Sequence, residues 1–455
     1  MNSLKPHPAS FRDPAGFVYK KDESIYRFVS NKYKEEFTSF ITTGLYKELV
    51  AEGFIIPFEQ IAENHFNDKE WFTTLKPNYI PFISYASEWC FDQLKDAALL
   101  TLKLSRRALY KGMILKDATH LNIQFLHGAP VHIDSLSFER YHEGESWAAY
   151  RQFCECFLNP LLLAVYHNME VHKLLTAYKE GVPASITSGL LPFKTKLKPS
   201  ILLHVHLQAK LGGKTNSHET KKRKLTSKDL LHIIQHLESC IQALNIKKTK
   251  STWNNYYDET ILSTNYLTAK REIVTSWLTT IHYSTAVDLG ANKGEFSELL
   301  NKNASVIATD FDSNCIQSLY GSLKNNSITN ILPLVIDITQ PTPATGWNNE
   351  EQQSFVSRSQ YDLGLALALI HHLAIGKNIS LIQIAQLFSN ICSKLIIEFI
   401  PKDDPKVADM LQNRKDIFEK YAIGEFENAF TTYFNVIKKE GIPHSNRTLY
   451  LMEKK

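Results

Sequence analysis

Thr285-Ala-Val-Asp-Leu-Gly-Ala-Asn-Lys-Gly-Glu-Phe-Ser-Glu-Leu-Leu300 decides how the carboxyl-terminal half of this chain folds. Its first five residues are a short apolar run, which predicts a buried strand. Gly290 to Gly294 make a glycine-bearing turn, and the six residues after it carry helical spacing. Strand, glycine turn and helix in that order let a backbone approach a nucleotide-like ligand closely. Further on, Ser305-Val-Ile-Ala-Thr-Asp310 predicts a second strand, whose terminal carboxylate lies twenty residues after Gly290. A carboxylate there suits a ribose diol, because it can accept from both hydroxyls.

The alternation continues. A helix is expected over residues 314–325, a strand over 331–337, a long polar insertion, a strand over 361–369, a helix over 380–393 and a strand over 394–400. Continuous apolar strands alternating with helices predict a parallel sheet covered on both faces. The end of the chain departs from this rhythm. After a helix expected over residues 417–430, Tyr433-Phe-Asn-Val-Ile-Lys438 and Arg447-Thr-Leu-Tyr-Leu-Met452 flank a turn and read as a closing hairpin.

A nucleotide-binding α/β sheet that closes on an antiparallel hairpin resembles the class I methyltransferase fold. Asp288-Leu-Gly-Ala-Asn-Lys-Gly-Glu-Phe296 is similar to the cofactor loop of that fold, with Asn292 where a middle glycine often stands. Leu365-Ala-Leu-Ala-Leu-Ile-His-His-Leu-Ala-Ile375, Ile396-Ile-Glu-Phe-Ile-Pro-Lys-Asp-Asp-Pro405 and Asn446-Arg-Thr-Leu-Tyr-Leu-Met452 resemble a bacterial family of nodulation-protein-like class I methyltransferases. The resemblance extends into the amino-terminal half. It implies a Rossmann-like seven-stranded sheet and S-adenosylmethionine as cofactor. Gly290 and Gly294 would give backbone room to the amino-acid part of that cofactor, and Asp288 would sit under its amino group. Asp310 would hold the ribose hydroxyls. Asp337 would meet the adenine amino group, with Ile338 as apolar neighbour of the ring. The plainer alternative for Asp310 and Asp337 is that each caps a following turn.

The sulfonium cofactor carries an activated methyl group, so the protein mainly aligns a nucleophile and removes its proton where it has one. His371 and His372 follow the fourth strand at the carboxyl edge of the sheet, where ligands bind in open α/β folds. Either suits a general base; capping or packing under the substrate floor is the alternative. Glu398, inside the fifth strand, reads as a buried, structurally paired carboxylate.

In the amino-terminal half, residues 16–29 read as a hairpin around Lys21-Asp-Glu-Ser24, residues 33–52 as an amphipathic helix and residues 97–111 as a second helix. Leu115-Lys-Asp-Ala-Thr-His-Leu-Asn-Ile-Gln-Phe125 and Ala129-Pro-Val-His-Ile-Asp134 resemble the catalytic loop and metal-binding strand of protein-kinase-like phosphotransferases. Asp117 and Asn122 stand at D-x-x-x-x-N spacing, and Asp134 follows the next strand. Ser135-Leu136 stands where Phe-Gly is expected, and neither a glycine-rich phosphate loop nor a paired strand lysine is evident. The resemblance therefore implies an α+β kinase-like scaffold whose Asp117, Asn122 and Asp134 are vestigial.

The chain has 455 residues, which predicts more than one domain. The expected division is 1–210 kinase-like, 211–250 basic linker and helix, and 251–455 methyltransferase. No apolar run reaches membrane-spanning length and no secretory signal precedes the chain, so a cytoplasmic protein is expected. The six cysteines are scattered. Cys154-Glu-Cys156 and His204-Val-His206 each lack a second pair at zinc spacing, so no metal is assigned. Residues 194–250 hold thirteen Lys and Arg against three acidic residues, with a Gly-rich basic run at 211–224. That run reads as a solvated linker, because no aromatics interleave it to stack bases. The expected acceptor is a small molecule, glycan or biosynthetic intermediate. An RNA or protein methyltransferase guided by the basic run, or a bifunctional phosphotransferase, is the alternative.

Overall fold

A computed structural model describes residues 4–211, 225–246, 264–412 and 415–455. Two readings fall outside them: the basic run at 212–224 and the aromatic lead-in around Trp253 to Asp258. The chain divides into two compact units, Met1–Lys247 with Thr345–Gln352, and Lys248–Ala344 with Gln353–Lys455. Among the described residues no helix is long and apolar enough to cross a membrane.

The first unit opens with a four-stranded antiparallel sheet in the order β1-β2-β4-β3. Its strands are β1 (Gly16–Lys21), β2 (Ser24–Ser30), β3 (Phe58–Ile61) and β4 (Trp71–Pro77). Val29, Tyr33, Phe37, Leu75 and Leu136 form a core under it. The helix expected over 33–52 is two helices, Lys34–Thr42 and Leu45–Ala51. They break at Gly44, whose φ of 77° no right-handed helix accommodates. A long helix, Phe91–Tyr110, starts earlier than the pattern suggested and leads into two short antiparallel strand pairs. These pair β5 (Met113–Leu115) with β8 (Phe138–Arg140), and β6 (Ile123–Leu126) with β7 (Ala129–His132). The rest is helical, and Ser227–Gln242, assigned from sequence to the connecting segment, packs on Phe91–Tyr110 within this unit.

The second unit is a seven-stranded sheet in the order β11-β10-β9-β12-β13-β15-β14. The strands are β9 (Thr285–Leu289), β10 (Ser305–Asp310), β11 (Ile331–Val335), β12 (Tyr361–Ala366), β13 (Cys392–Phe399), β14 (Phe434–Gly441) and β15 (Thr448–Lys454). β9 to β13 run parallel, and β15 enters antiparallel between β13 and β14. Their central residues are buried, as expected for a sheet covered on both faces. The parallel arrangement brings the carboxyl ends of β9, β10, β11 and β12 to one edge.

Five expected elements come out shorter; β11 ends at Val335 and the helix after β12 spans Leu381–Ile391. Residues 295–300 hold one turn, Ser297–Leu299, with the Ser297 hydroxyl committed to Asp288. The helix after 417 begins at Ile423, since Phe418 N–H bonds Asp416 and the Tyr421 hydroxyl bonds Ile400 O, holding this stretch in turns. β12 stops at Ala366, two residues before Ala368 takes a φ of 52°.

Candidate functional site

At the end of β9 the chain turns through Gly290 and Gly294, with φ of 76° and 86°. The N–H groups of Gly290 and Ala291 both donate to Thr309 O, at 2.9 and 2.8 Å, stitching the turn to β10. A Cβ at Gly294 would lie 2.4 Å from Leu319 Cδ1, while one at Gly290 would meet only Leu369 Cδ1, at 3.3 Å. Packing therefore demands glycine at 294, and backbone conformation demands it at 290. Asn292 between them has a φ of 51°, which asparagine tolerates better than most side chains.

Three carboxylates stand at this edge. Asp288, on β9, accepts from the Ser297 hydroxyl at 2.6 Å. Asp310, ending β10, accepts the N–H of Asn292 on one oxygen and of Asp312 on the other, both at 2.9 Å. Burial pushes the pKa of each up to about 6. Neither forms an ion pair with a side chain among the described residues. Asp337, two residues past β11, accepts the N–H and hydroxyl of Thr339 on Oδ1, at 2.9 and 2.6 Å, which is the turn-capping geometry weighed from sequence. Among the described residues its Oδ2 takes no hydrogen bond, and Ile338 beside it is 9% exposed.

The loop after β12 carries His371 and His372, whose ring centroids lie 3.9 Å apart. His371 is fully buried with neither ring nitrogen hydrogen-bonded. Burial drives its pKa far below the ordinary histidine value, helped by nearby His372 and Arg447. Burial also pushes His372 down to about 4. Both rings are neutral near pH 7.

What shapes that loop is a buried polar network that sequence reasoning caught only at Glu398. Glu398 Oε2 accepts from Lys270 Nζ at 2.6 Å and from Ala368 N–H at 2.9 Å, and Oε1 accepts the Tyr266 hydroxyl. Arg447 makes two bonds to Asp404, at 2.7 and 3.0 Å, and donates to Tyr266 Oη at 2.9 Å. Burial alone would raise the Glu398 pKa; Lys270 and Arg447 outweigh it and hold the group ionised. Lys270 also lies 4.5 Å from the centroid of Phe296. Tyr266, Lys270, Asp404 and Arg447 were not singled out from sequence. A glutamate inside the apolar run 395–400 signals a buried partner without saying which one.

In the first unit, Ser137 Oγ joins Asn122 and Asp134: Asn122 Nδ2 donates to it at 3.2 Å, and it donates to Asp134 Oδ2 at 2.5 Å. Arg27 of β2 forms an ion pair with Asp134 Oδ1. Burial pushes Asp134 upward, but Arg27, the Ser137 hydroxyl and the Leu136 N–H overcome it and leave a pKa of about 2. Among the described residues Asp117 makes no side-chain hydrogen bond, and burial raises its pKa. Cys154 and Cys156 are buried, and His204 and His206 are taken up by hydroxyls and His236.

Six strands of one direction with a single opposed strand, β15, inserted at the sixth position, a left-handed glycine turn after the first strand and an acid ending the second define a class I S-adenosylmethionine-dependent methyltransferase. The chain belongs to the family of nodulation protein NoeA. It is 33% identical to Nodulation protein NoeA of Rhizobium meliloti (strain 1021) over 456 residues, covering 98% of this chain and 95% of the relative. No family model matches the chain. Among solved structures, the N-methyltransferase NodS of Bradyrhizobium japonicum WM9 with S-adenosyl-L-homocysteine is 10% identical. It covers 45% of this chain and 99% of its own, with a TM-score of 0.33. The bifunctional kinase-methyltransferase WbdD is 16% identical, covering 44% of this chain and 41% of its own, with a TM-score of 0.29. Likenesses of that extent say nothing about the acceptor.

Proposed function

We propose that this protein transfers the methyl group of S-adenosylmethionine to a small molecule, glycan or biosynthetic intermediate, at the carboxyl edge of β9 to β12. The observation that carries the reading is the pair of buried carboxylates, Asp288 and Asp310, beside a left-handed glycine turn, with no ion pair to either among the described residues and Lys270, bonded to Glu398, attracting Asp288 only from a distance. Such a pair suits a ligand with a cationic end and a diol. Asp288 faces the amino group, Asp310 the ribose hydroxyls, and Asp337 Oδ2 with Ile338 the adenine; Gly290, Asn292 and Gly294 leave room for the ligand's backbone. The cofactor supplies the activated methyl group. One of His371 and His372, both neutral at pH 7, accepts the acceptor's proton where it carries one.

Calorimetric titration with S-adenosylmethionine and its demethylated product tests the cradle. The wild-type chain should bind both, and Gly290→Val, forced out of its left-handed turn, should not. Unchanged affinity in a folded variant overturns the reading. Turnover in His371→Ala and His372→Ala should fall more than cofactor affinity does. Turnover within twofold of the parent in both would make the pair architectural.

For the first unit, the proposal is a kinase-like scaffold, 1–210, without phosphotransfer, with the helix Ser227–Gln242 packed on it, followed by the methyltransferase domain, 251–455. It is supported by the antiparallel sheet ahead of the helical part and by the convergence of Asn122 and Asp134 on Ser137. Nucleic-acid binding that falls steeply with salt would favour the RNA alternative.

A further inference from the structure

The segment 184–211 of the first unit is built inside out. It comprises the helix Ala184–Leu190, the turn Phe193–Leu197 and a helical stretch running from Pro199 to Leu211 with a wide turn at Leu202–Leu207. On that last stretch the residues facing inward are Ile201, His204, Val205 and His206, while Leu202, Leu203, Leu207 and Leu211 face solvent. The histidines are committed to the interior. His206 lies 2.8 Å from Ser188 Oγ and 2.9 Å from Thr195 Oγ1, tying all three elements together, and His204 lies 2.7 Å from Tyr150 Oη. With those bonds fixed, the helix cannot turn its leucines under. The preceding turn adds Phe193 and Leu197, 73% and 77% exposed. Apolar side chains clustered this way on a soluble surface mark a contact face.

Charge selects what the face contacts. From Gly181 to His218 the sequence holds no acidic residue, and Lys194, Lys196, Lys198 and Lys210 interleave the exposed apolar side chains. Two copies meeting through this face would bring lysines against lysines, which disfavours a symmetric dimer. The residues that follow, 212–224, carry no large apolar side chain with which to cover the leucines. Leucine and phenylalanine among lysines, with acids excluded, match a surface whose interior is apolar and whose rim is anionic.

We propose that this face seats the protein on the surface of an anionic lipid bilayer, with Phe193, Leu197, Leu203 and Leu207 entering the headgroup boundary and the lysines meeting lipid phosphates. This goes beyond the methyl-transfer reading and is independent of it. The test is co-sedimentation of the full chain with vesicles of phosphatidylcholine alone, or of phosphatidylcholine and phosphatidylglycerol in equal parts. The anionic vesicles should take up the protein with on the order of tenfold higher partition. Leu203→Ser with Leu207→Ser should lower that partition by roughly an order of magnitude. Lys194→Glu with Lys196→Glu should lower it at least as far, and both variants should keep the parent's denaturation midpoint. Four results overturn the proposal. They are equal or no uptake by the two vesicle types; loss in the lysine variant alone, as a free polyanion such as RNA would give; a dimer in gel filtration that the leucine variant dissolves; and a leucine variant that unfolds, which would make those leucines core.

Discussion

Both units place buried aspartates at strand ends, and they treat them in opposite ways. Asp134 in the first unit is met by Arg27 and the Ser137 hydroxyl and is held at a pKa of about 2. Asp288 and Asp310 in the second have only backbone N–H groups and one hydroxyl as hydrogen-bond partners among the described residues, with Lys270 attracting Asp288 from a distance, and burial lifts both to about 6. A carboxylate with its own cation is finished as structure. One buried without a cation is a cost to the fold that a cationic ligand can relieve. The guanidinium of Arg27 stands where a metal-binding aspartate would need its cation, which is the physical ground for expecting no magnesium-dependent phosphotransfer in the first unit.

The largest effect should come from breaking the finished pair. Arg27→Ala leaves Asp134 buried without its partner, so denaturant unfolding of the first unit should lose about 3–5 kcal/mol. Asp310→Asn, by contrast, removes a buried charge with no ion-pair partner but gives up one of its two backbone N–H bonds, so the two effects offset and the ligand-free second unit should change by no more than about 1 kcal/mol. Comparable losses at the two sites would erase the distinction.

Cofactor binding should sharpen it. Asp310→Ala should weaken S-adenosylmethionine by about 1–3 kcal/mol in calorimetry, the scale for hydrogen bonds to a charged group deprived of its acceptor. Parent-like binding would mean that the end of β10 does not hold the ribose.

A smaller effect is expected from pH. As pH falls through about 6, Asp288 and Asp310 take up protons and lose their attraction for a cation, so cofactor affinity should decline by up to about tenfold per unit for each proton taken up. Without ligand the sign reverses. The folded values lie above the ordinary 3.8, so the cost of these two groups is full above pH 6 and is relieved on acidification. Asp310→Asn should flatten the affinity profile, while Asp134, already ionised down to about 2, should contribute nothing in this window. A profile flat from pH 7 to 5 in the wild type would contradict the buried, unpaired state of the two carboxylates.

Much of the second unit was legible because its signals are local. An apolar strand, a glycine turn and an acid at fixed spacing specify their own backbone, and the structure joins Asn292 N–H to Asp310 directly. Asp337 was legible only as two alternatives, and it makes the capping contact while keeping a second oxygen for a ligand. In the first unit the hairpin 16–30 was legible, but the break at Gly44 was not, because the apolar pattern runs on through it.

The sequence by itself determined the parallel sheet, its closing hairpin and the positions of Asp288, Gly290, Gly294 and Asp310, since periodicity and turn chemistry act over a few residues. Only the tertiary structure decided that Glu398 answers to Lys270, Tyr266 and Arg447, that Arg27 neutralises Asp134, and that the histidines of 204–206 face in while their leucines face out. The physical reason is separation along the chain. Glu398 lies 128 residues from Lys270, and Asp134 lies 107 from Arg27. A buried charge or polar ring announces that it needs a partner, but which residue answers depends on the packing that brings the two together.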